Sequence, residues 1–259
     1  MTEELKARKV LLSEMSWFEV QEVLKLTDLV IIPFGANEVY GKHLPTGSDT
    51  IVAFEISLKL AQKVGVVVAP PIPIGYSHAL LDFPGTISAS TNVLTSLLRD
   101  YCQSLIRHGF RRFFFTCGHL GNIPSITSTA YDLYGKALFA MVDIWRFLAK
   151  ESEGIVETGC FPEGHASEIG TSVLLALRPD LVRMERAVKE VPNPDFPHPP
   201  HDINLFSTIG EFTKSGVIGD PLLASAEKGR RVLEKATVSL CKFLEEFKVM
   251  DLKRDNIFL

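Results

Sequence analysis

The chain has 259 residues, 46% of them hydrophobic and 22% charged, with a formal net charge of -4 and an isoelectric point near 6.0. That is enough material for a sizeable core, and without a basic excess nothing recruits phosphate backbones or an anionic membrane surface, so nucleic acid and membrane are excluded as partners. The opening stretch MTEELKARKVLLSEMSW mixes acids and bases and has no apolar signal core, and no run reaches the ~18 apolar residues of a span, so a soluble, cytoplasmic protein is expected.

In chain order, LVIIPF (Leu29–Phe34) reads as a strand apolar on both faces, followed by a helix from Thr50 to Lys63. A second strand is expected over VGVVVAP (Val64–Pro70), then a helix from Ser90 to His108, where Val93, Leu94, Leu97, Leu98, Tyr101 and Leu105 recur at three- and four-residue intervals. RFFFTCG (Arg112–Gly118) and ALFAMVD (Ala137–Asp143) are further strands flanking a helix from Ile123 to Tyr134. Helices from Ser167 to Leu177 and from Leu222 to Phe247 close the pattern, the second with its proline in a tolerant first turn. Strand–helix–strand alternation predicts right-handed crossovers and a doubly wound, mostly parallel sheet, and residues 1–259 are read as one domain. The stretch 191–206, with five prolines, His198 and His201, is expected as a long ordered loop placed to serve as a lid or to reach a neighbouring subunit. Cys102, Cys117, Cys160 and Cys241 lack CxxC spacing, which argues for reduced, mostly buried thiols.

In open parallel sheets, ligands collect beyond the carboxyl ends of the strands. The segment FGANEVYGKHLPTGSDT, too rich in glycine and proline for a helix or strand, puts Glu38 and Asp49 after the first strand; His119 follows the third, and Asp143 closes the fourth. His165 and Glu168, three apart where a helix opens, share one face. Two carboxylates and an imidazole from separate loops suit zinc, manganese or iron. Taken singly, each has an ordinary alternative: Glu38 or Asp49 caps a turn, His119 is a hydrogen-bonded loop histidine, Glu168 favours a helix N-terminus.

Five blocks, GANEVYGKHLPTGSDT, GYSHALLDFPGTIS, TCGHLGNIPS, GHASEIGTS and SGVIGDPLLASAEKG, resemble in order and spacing the creatininase family of metal-dependent amidohydrolases, from about Leu29 to Leu233. The resemblance implies a three-layer α/β/α sandwich, one or two divalent ions, and a homo-oligomer. Residue by residue it implies Glu38, Asp49 and His119 as metal ligands, Asp49 at the position that bridges two ions, His165 as the catalytic histidine, and Ser77 as a substrate-contacting serine. Several positions depart from the family pattern. Tyr40 replaces the second-metal histidine, Gly121 a second-metal carboxylate of creatinine hydrolases, Leu80 a histidine, Cys117 an asparagine and Gly170 a second glutamate. One ion rather than two is therefore expected, zinc first with manganese or iron as alternatives, and Glu168 is the unassigned carboxylate for a fourth ligand. Tyr40 is either a catalytic hydroxyl facing substrate or an aromatic filling the vacated space. His43 is read as loop support, His78 as able to lean into the space left at Leu80, and His108 as a structural residue at a helix end.

The implied reaction is attack of metal-activated water on a carbonyl carbon of a small polar, cyclic substrate, with amide or lactam carbon–nitrogen hydrolysis first. The alternatives are ring-opening carbon–carbon hydrolysis of a cyclic diketone in sugar or inositol catabolism, and a metal-poor binding or assembly protein. Creatinine itself is a poor substrate candidate, because Phe161 replaces the tryptophan of creatinine hydrolases and Pro162 falls near their acidic substrate contact.

Overall fold

Short apolar runs form the strands, and those of the central strands are buried on both faces. The computed structural model describes residues 9–156, 161, 163–192 and 205–251. Strands β1 (Leu29–Phe34), β2 (Val67–Val68), β3 (Arg112–Cys117) and β4 (Leu138–Asp143) form one sheet in the order β2-β1-β3-β4, with every pairing parallel. The second strand is shorter than expected. Val64 ends the preceding helix and Gly65 terminates it at φ 74°, in the left-handed region that favours glycine, so the ladder starts only at Val67.

The helices are α1 (Trp17–Leu24), α2 (Ser48–Val64), α3 (Thr91–His108), α4 (Ile123–Asp132), α5 (Ile144–Glu151), α6 (Glu168–Leu177), the short α7 (Ile209–Phe212) and α8 (Ala226–Lys248). The two-residue period of the strands divides the core. Leu29, Ile31 and Phe114 pack with Val52, Ile56 and Leu60 of α2, Val173 of α6 and Leu240 of α8. Val30, Ile32, Phe34, Phe113 and Phe115 face the other way, against Val23 of α1, Leu94 and Leu98 of α3 and Ile126 of α4. Helices on both faces of a parallel sheet make the three-layer α/β/α sandwich. Each fully buried phenylalanine or leucine contributes about 1.5–3 kcal/mol.

Several helical starts differ from expectation: α2 begins at Ser48, two residues earlier, and α1 and α7 were not expected. The last helix opens at Ala226, capped by the Ser225 side chain, while Pro221–Leu223 is a separate 3₁₀ turn, so the proline lies outside the helix. Helix α5, not expected at all, begins directly after β4 because Asp143 caps it by accepting from Arg146 N. No described helix is long and apolar enough to cross a membrane. Cys102 and Cys117 are buried free thiols and Cys241 is half-buried. Cys160, Pro162, His198, His201 and most of the proline-rich stretch lie outside the described residues.

Candidate metal centre

Three side chains meet at the carboxyl ends of the strands. Glu38 sits in the loop after β1, its backbone N–H donating to Thr46 O at 2.8 Å. Asp49 belongs to the first turn of α2, not to a loop, since Pro45 O accepts from both the backbone N and the Oγ of Ser48 and starts the helix there. His119 follows β3 across Gly118, where a Cβ would lie 2.3 Å from Asp49 O; only glycine lets the strand end approach the helix start this closely.

His119 Nδ1 stands 3.1 Å from Glu38 Oε2 and 3.3 Å from Asp49 Oδ2, and one ligand atom from each of the three residues lies within 4.8 Å of the others. The opposite ring nitrogen, Nε2, donates to Tyr76 O at 2.8 Å. Asn122 braces that carbonyl's segment, its Oδ1 accepting from Tyr76 N at 3.1 Å and its Nδ2 donating to Gly35 O at 2.8 Å. Trp145 Nε1 donates to Asp49 Oδ1 at 2.9 Å, and Ser77 Oγ donates to Glu38 Oε2 at 2.5 Å. The carboxylates and the imidazole are thus fixed from behind by hydrogen bonds, as metal ligands usually are.

The electrostatics show what the group fits. Both carboxylates are buried, and among the described residues no lysine or arginine pairs with either. Burial raises Asp49, reinforced by the charge of Glu38, and pushes its pKa up to about 6 against the bonds from His119 and Trp145. Burial also opposes ionisation of Glu38, yet His119 and His165 hold it well below the usual carboxylate range. Desolvation works to keep His119 neutral, but hydrogen bonds and charges from Asp49 and Glu38 prevail and push its pKa up to about 11. With Nε2–H committed to Tyr76, a neutral His119 turns the Nδ1 lone pair toward two anions, an arrangement that requires a cation between them. A proton serves in the bare protein, and a divalent metal fits the same donors.

A cavity of about 540 Å³ opens above these three side chains. His165 lines it: Nδ1 donates to Gly216 O at 2.8 Å, which turns Nε2 toward Glu38 Oε1 at 3.7 Å, buried and without a hydrogen-bond partner among the described residues. The turn that presents it holds Phe161 at φ 48° and Ala166 at φ 53°, a left-handed conformation costing roughly 1–2 kcal/mol per residue without glycine. Tyr40 is buried, stacks on Trp145 (centroids 5.6 Å, 27°) and meets the His165 ring edge-on at 4.7 Å. Burial, with Asp49 and Glu38 nearby, raises its hydroxyl pKa well above the ordinary value, so it stays protonated.

Other expected site residues take different places. Glu168, expected as a fourth ligand, is outside the cluster: its Oε1 accepts from Lys228 Nζ at 2.8 Å. Ser77 is fully buried behind Glu38 and does not line the cavity, so it supports a ligand rather than contacting substrate. Phe161 is 49% exposed and is not among the cavity-lining residues. His43 is buried, its Nε2 2.8 Å from Thr171 Oγ1, with burial lowering its pKa to about 4, in keeping with loop support. His78 does not enter the space at Leu80; it stacks on Tyr76 and bonds Ser88. Trp145 and Asn122 were not anticipated. An aspartate ending a strand before the amphipathic IWRFLAKE was the available signal for Trp145's helix.

Comparison with known proteins agrees with this geometry. The family model for creatininase, described as creatinine amidohydrolase, matches residues 13–244. The creatinine amidohydrolase of Pseudomonas putida is 28% identical over 263 residues, covering 93% of this chain and 98% of that protein. The 3-dehydro-scyllo-inosose hydrolase of Thermotoga maritima is 29% identical over 256 residues, covering 90% and 80%. Among solved structures, a mutant creatininase of Zn-Zn type superposes with a TM-score of 0.82 at 25% identity, covering 94% of this chain and 100% of that one. A family match across residues 13–244 means that the chain belongs to the creatininase family of metal-dependent hydrolases, as a divergent member.

Proposed function

We propose that this chain hydrolyses the carbon–nitrogen bond of a small-molecule amide at a single divalent ion, zinc first, held by Glu38, Asp49 and His119. The observation that carries the reading is His119, whose Nδ1 is aimed between two buried carboxylates while Nε2–H is pinned to Tyr76 O. A divalent cation there supplies activated water at neutral pH and polarises a carbonyl. His165 takes up a proton at Nε2, its tautomer set by Gly216 O, and returns it to the departing nitrogen. Tyr40, held protonated, donates to the oxygen that gains charge and does not act as the base. An amine must be protonated as it leaves, whereas an enolate from a ring-opening carbon–carbon cleavage need not be, so the acceptor at His165 Nε2 favours the amide reading.

A count of one ion is supported by the space around the three departures from the family pattern. Tyr40 occupies the second-ligand position itself. A Cβ at Gly121 would lie 2.3 Å from Tyr76 O, and a Cβ at Gly170 would lie 3.0 Å from Tyr40 Oη. Titrating metal-free protein with Zn²⁺ and Mn²⁺ tests the reading: one tight equivalent per chain is expected, and Asp49→Asn should abolish both uptake and amide hydrolysis, because a neutral amide cannot replace an anionic ligand. Two tight equivalents, or turnover that survives removal of the metal, would refute it.

A further inference from the structure

Apart from the groups that hold the ion and move protons, the cavity surface is mainly apolar. Leu80 comes from the 3₁₀ turn His78–Leu80, Leu120 from the turn after His119, Ile169 from α6, and Ile209 and Phe212 from α7. The stacked pair Tyr40 and Trp145 adds a flat aromatic wall. Four further polar side chains reach the lining, Asp143, Arg146, Glu163 and Ser207, and of these Asp143 Oδ2 is buried without a hydrogen-bond partner among the described residues. Asp143 caps α5 and lies 3.4 Å from Arg146 Nε, while the Arg146 side chain is 74% exposed. Leu80 also stands where the family pattern has a histidine, so at this position an apolar group has replaced a polar one.

A compact polar ring would turn donors and acceptors toward these walls, each one left unsatisfied weakening binding by roughly 5- to 150-fold. An apolar group gains affinity from the same surface, and about 540 Å³ falls within the range of pockets that enclose drug-sized ligands rather than fragments. Resting on the amide-hydrolase reading above, we infer that the substrate carries an extended apolar group, branched aliphatic or aromatic, beside its amide, instead of the compact polar ring expected from sequence. The carbonyl lies over Glu38, Asp49 and His119, and the apolar group fills the space between Leu80, Leu120 and α7.

The test uses hydroxamates as metal-directed probes on the zinc-loaded full chain, with affinity measured by titration calorimetry rather than by turnover. From acetohydroxamate to butano-, hexano- and 4-phenylbutanohydroxamate, affinity should rise about fourfold per buried methylene. Leu80→Asn and Ile209→Asn, both at positions only partly buried and checked for unchanged thermal unfolding, should flatten that dependence on chain length. A series with equal affinities, or a slope untouched by both variants, overturns the inference and leaves the hydrolase reading standing. Failure of every hydroxamate to bind overturns the metal reading, and this one with it.

Discussion

Gly170→Ala is the sharpest probe of why Tyr40 is where it is. Gly170 is the third residue of α6, and replacing glycine by alanine in a helix interior ordinarily stabilises by about 1 kcal/mol. Here the new Cβ would meet Tyr40 Oη at 3.0 Å, Cε1 at 3.2 Å and Cζ at 3.5 Å. The ring cannot swing aside, because Trp145 stacks on it at 5.6 Å and His165 meets it at 4.7 Å. Overpacking of this kind costs about 1–3 kcal/mol, so it outweighs the propensity gain and the variant should lose about 1 kcal/mol. Tyr40→Phe deletes the nearest atom, and in that background Gly170→Ala should be neutral or stabilising by about 0.5 kcal/mol, a coupling of 1–2 kcal/mol between neighbours. Urea unfolding of the four proteins of the cycle, with chelator present, measures it. Stabilisation of the Tyr40 protein by a full ~1 kcal/mol, with no coupling, would show that the tyrosine does not fill the space a side chain at 170 would need.

Replacing His165 by Asn should leave metal content intact and lower turnover by about 10²- to 10⁴-fold, the scale of a positioned proton carrier; unchanged turnover removes it from the reaction. Trp145→Phe keeps the stack on Tyr40 but deletes the donor to Asp49 Oδ1, so metal affinity should fall about 10- to 100-fold in equilibrium dialysis, and an unaltered affinity would make the bond incidental. His119 binds its proton more tightly in the folded metal-free protein than when unfolded, so its stabilising contribution is complete below the ordinary histidine pKa of about 6.5 and is lost as pH rises toward about 11. Thermal unfolding of the metal-free protein should therefore shift downward from neutral to alkaline pH. Zinc loading should blunt that slope, and identical slopes with and without zinc would contradict the assignment.

The strands LVIIPF, RFFFTC and LFAMVD were legible almost to the residue, the first two because burial on both faces writes itself into composition and the edge strand LFAMVD because its apolar run is bounded by Gly135 and Asp143. The trio Glu38, Asp49 and His119 was legible from chemistry and chain order, although Asp49's place in a helix was hidden by the glycines and proline before it. What sequence could not show were the pairings across long separations. Glu168 looked like a ligand until Lys228, sixty positions on, took its carboxylate, and Trp145 reaches Asp49 across 96 positions. Ser77 was placed in the right neighbourhood but on the wrong side, since spacing says nothing about whether a hydroxyl faces a cavity or the back of a ligand.

The departures at Tyr40, Gly121 and Gly170 are best understood together. Were Tyr40 the only change, an imidazole there would be enough to rebuild a second ion site beside Asp49. The geometry argues otherwise. A Cβ at 121 would lie 2.3 Å from the Tyr76 carbonyl oxygen, which accepts from His119 Nε2, so moving that oxygen would also disturb the His119 tautomer. A carboxylate at 170 would press its Cβ to 3.0 Å from Tyr40 Oη, so the ring would have to shift against Trp145, whose Nε1 donates to Asp49. On the proposed single-ion reading, each route to a second ion thus runs through a contact that positions Asp49 or His119. On that same reading, the tyrosine takes the place of a second ion and, through its stack on Trp145, also helps to hold Asp49.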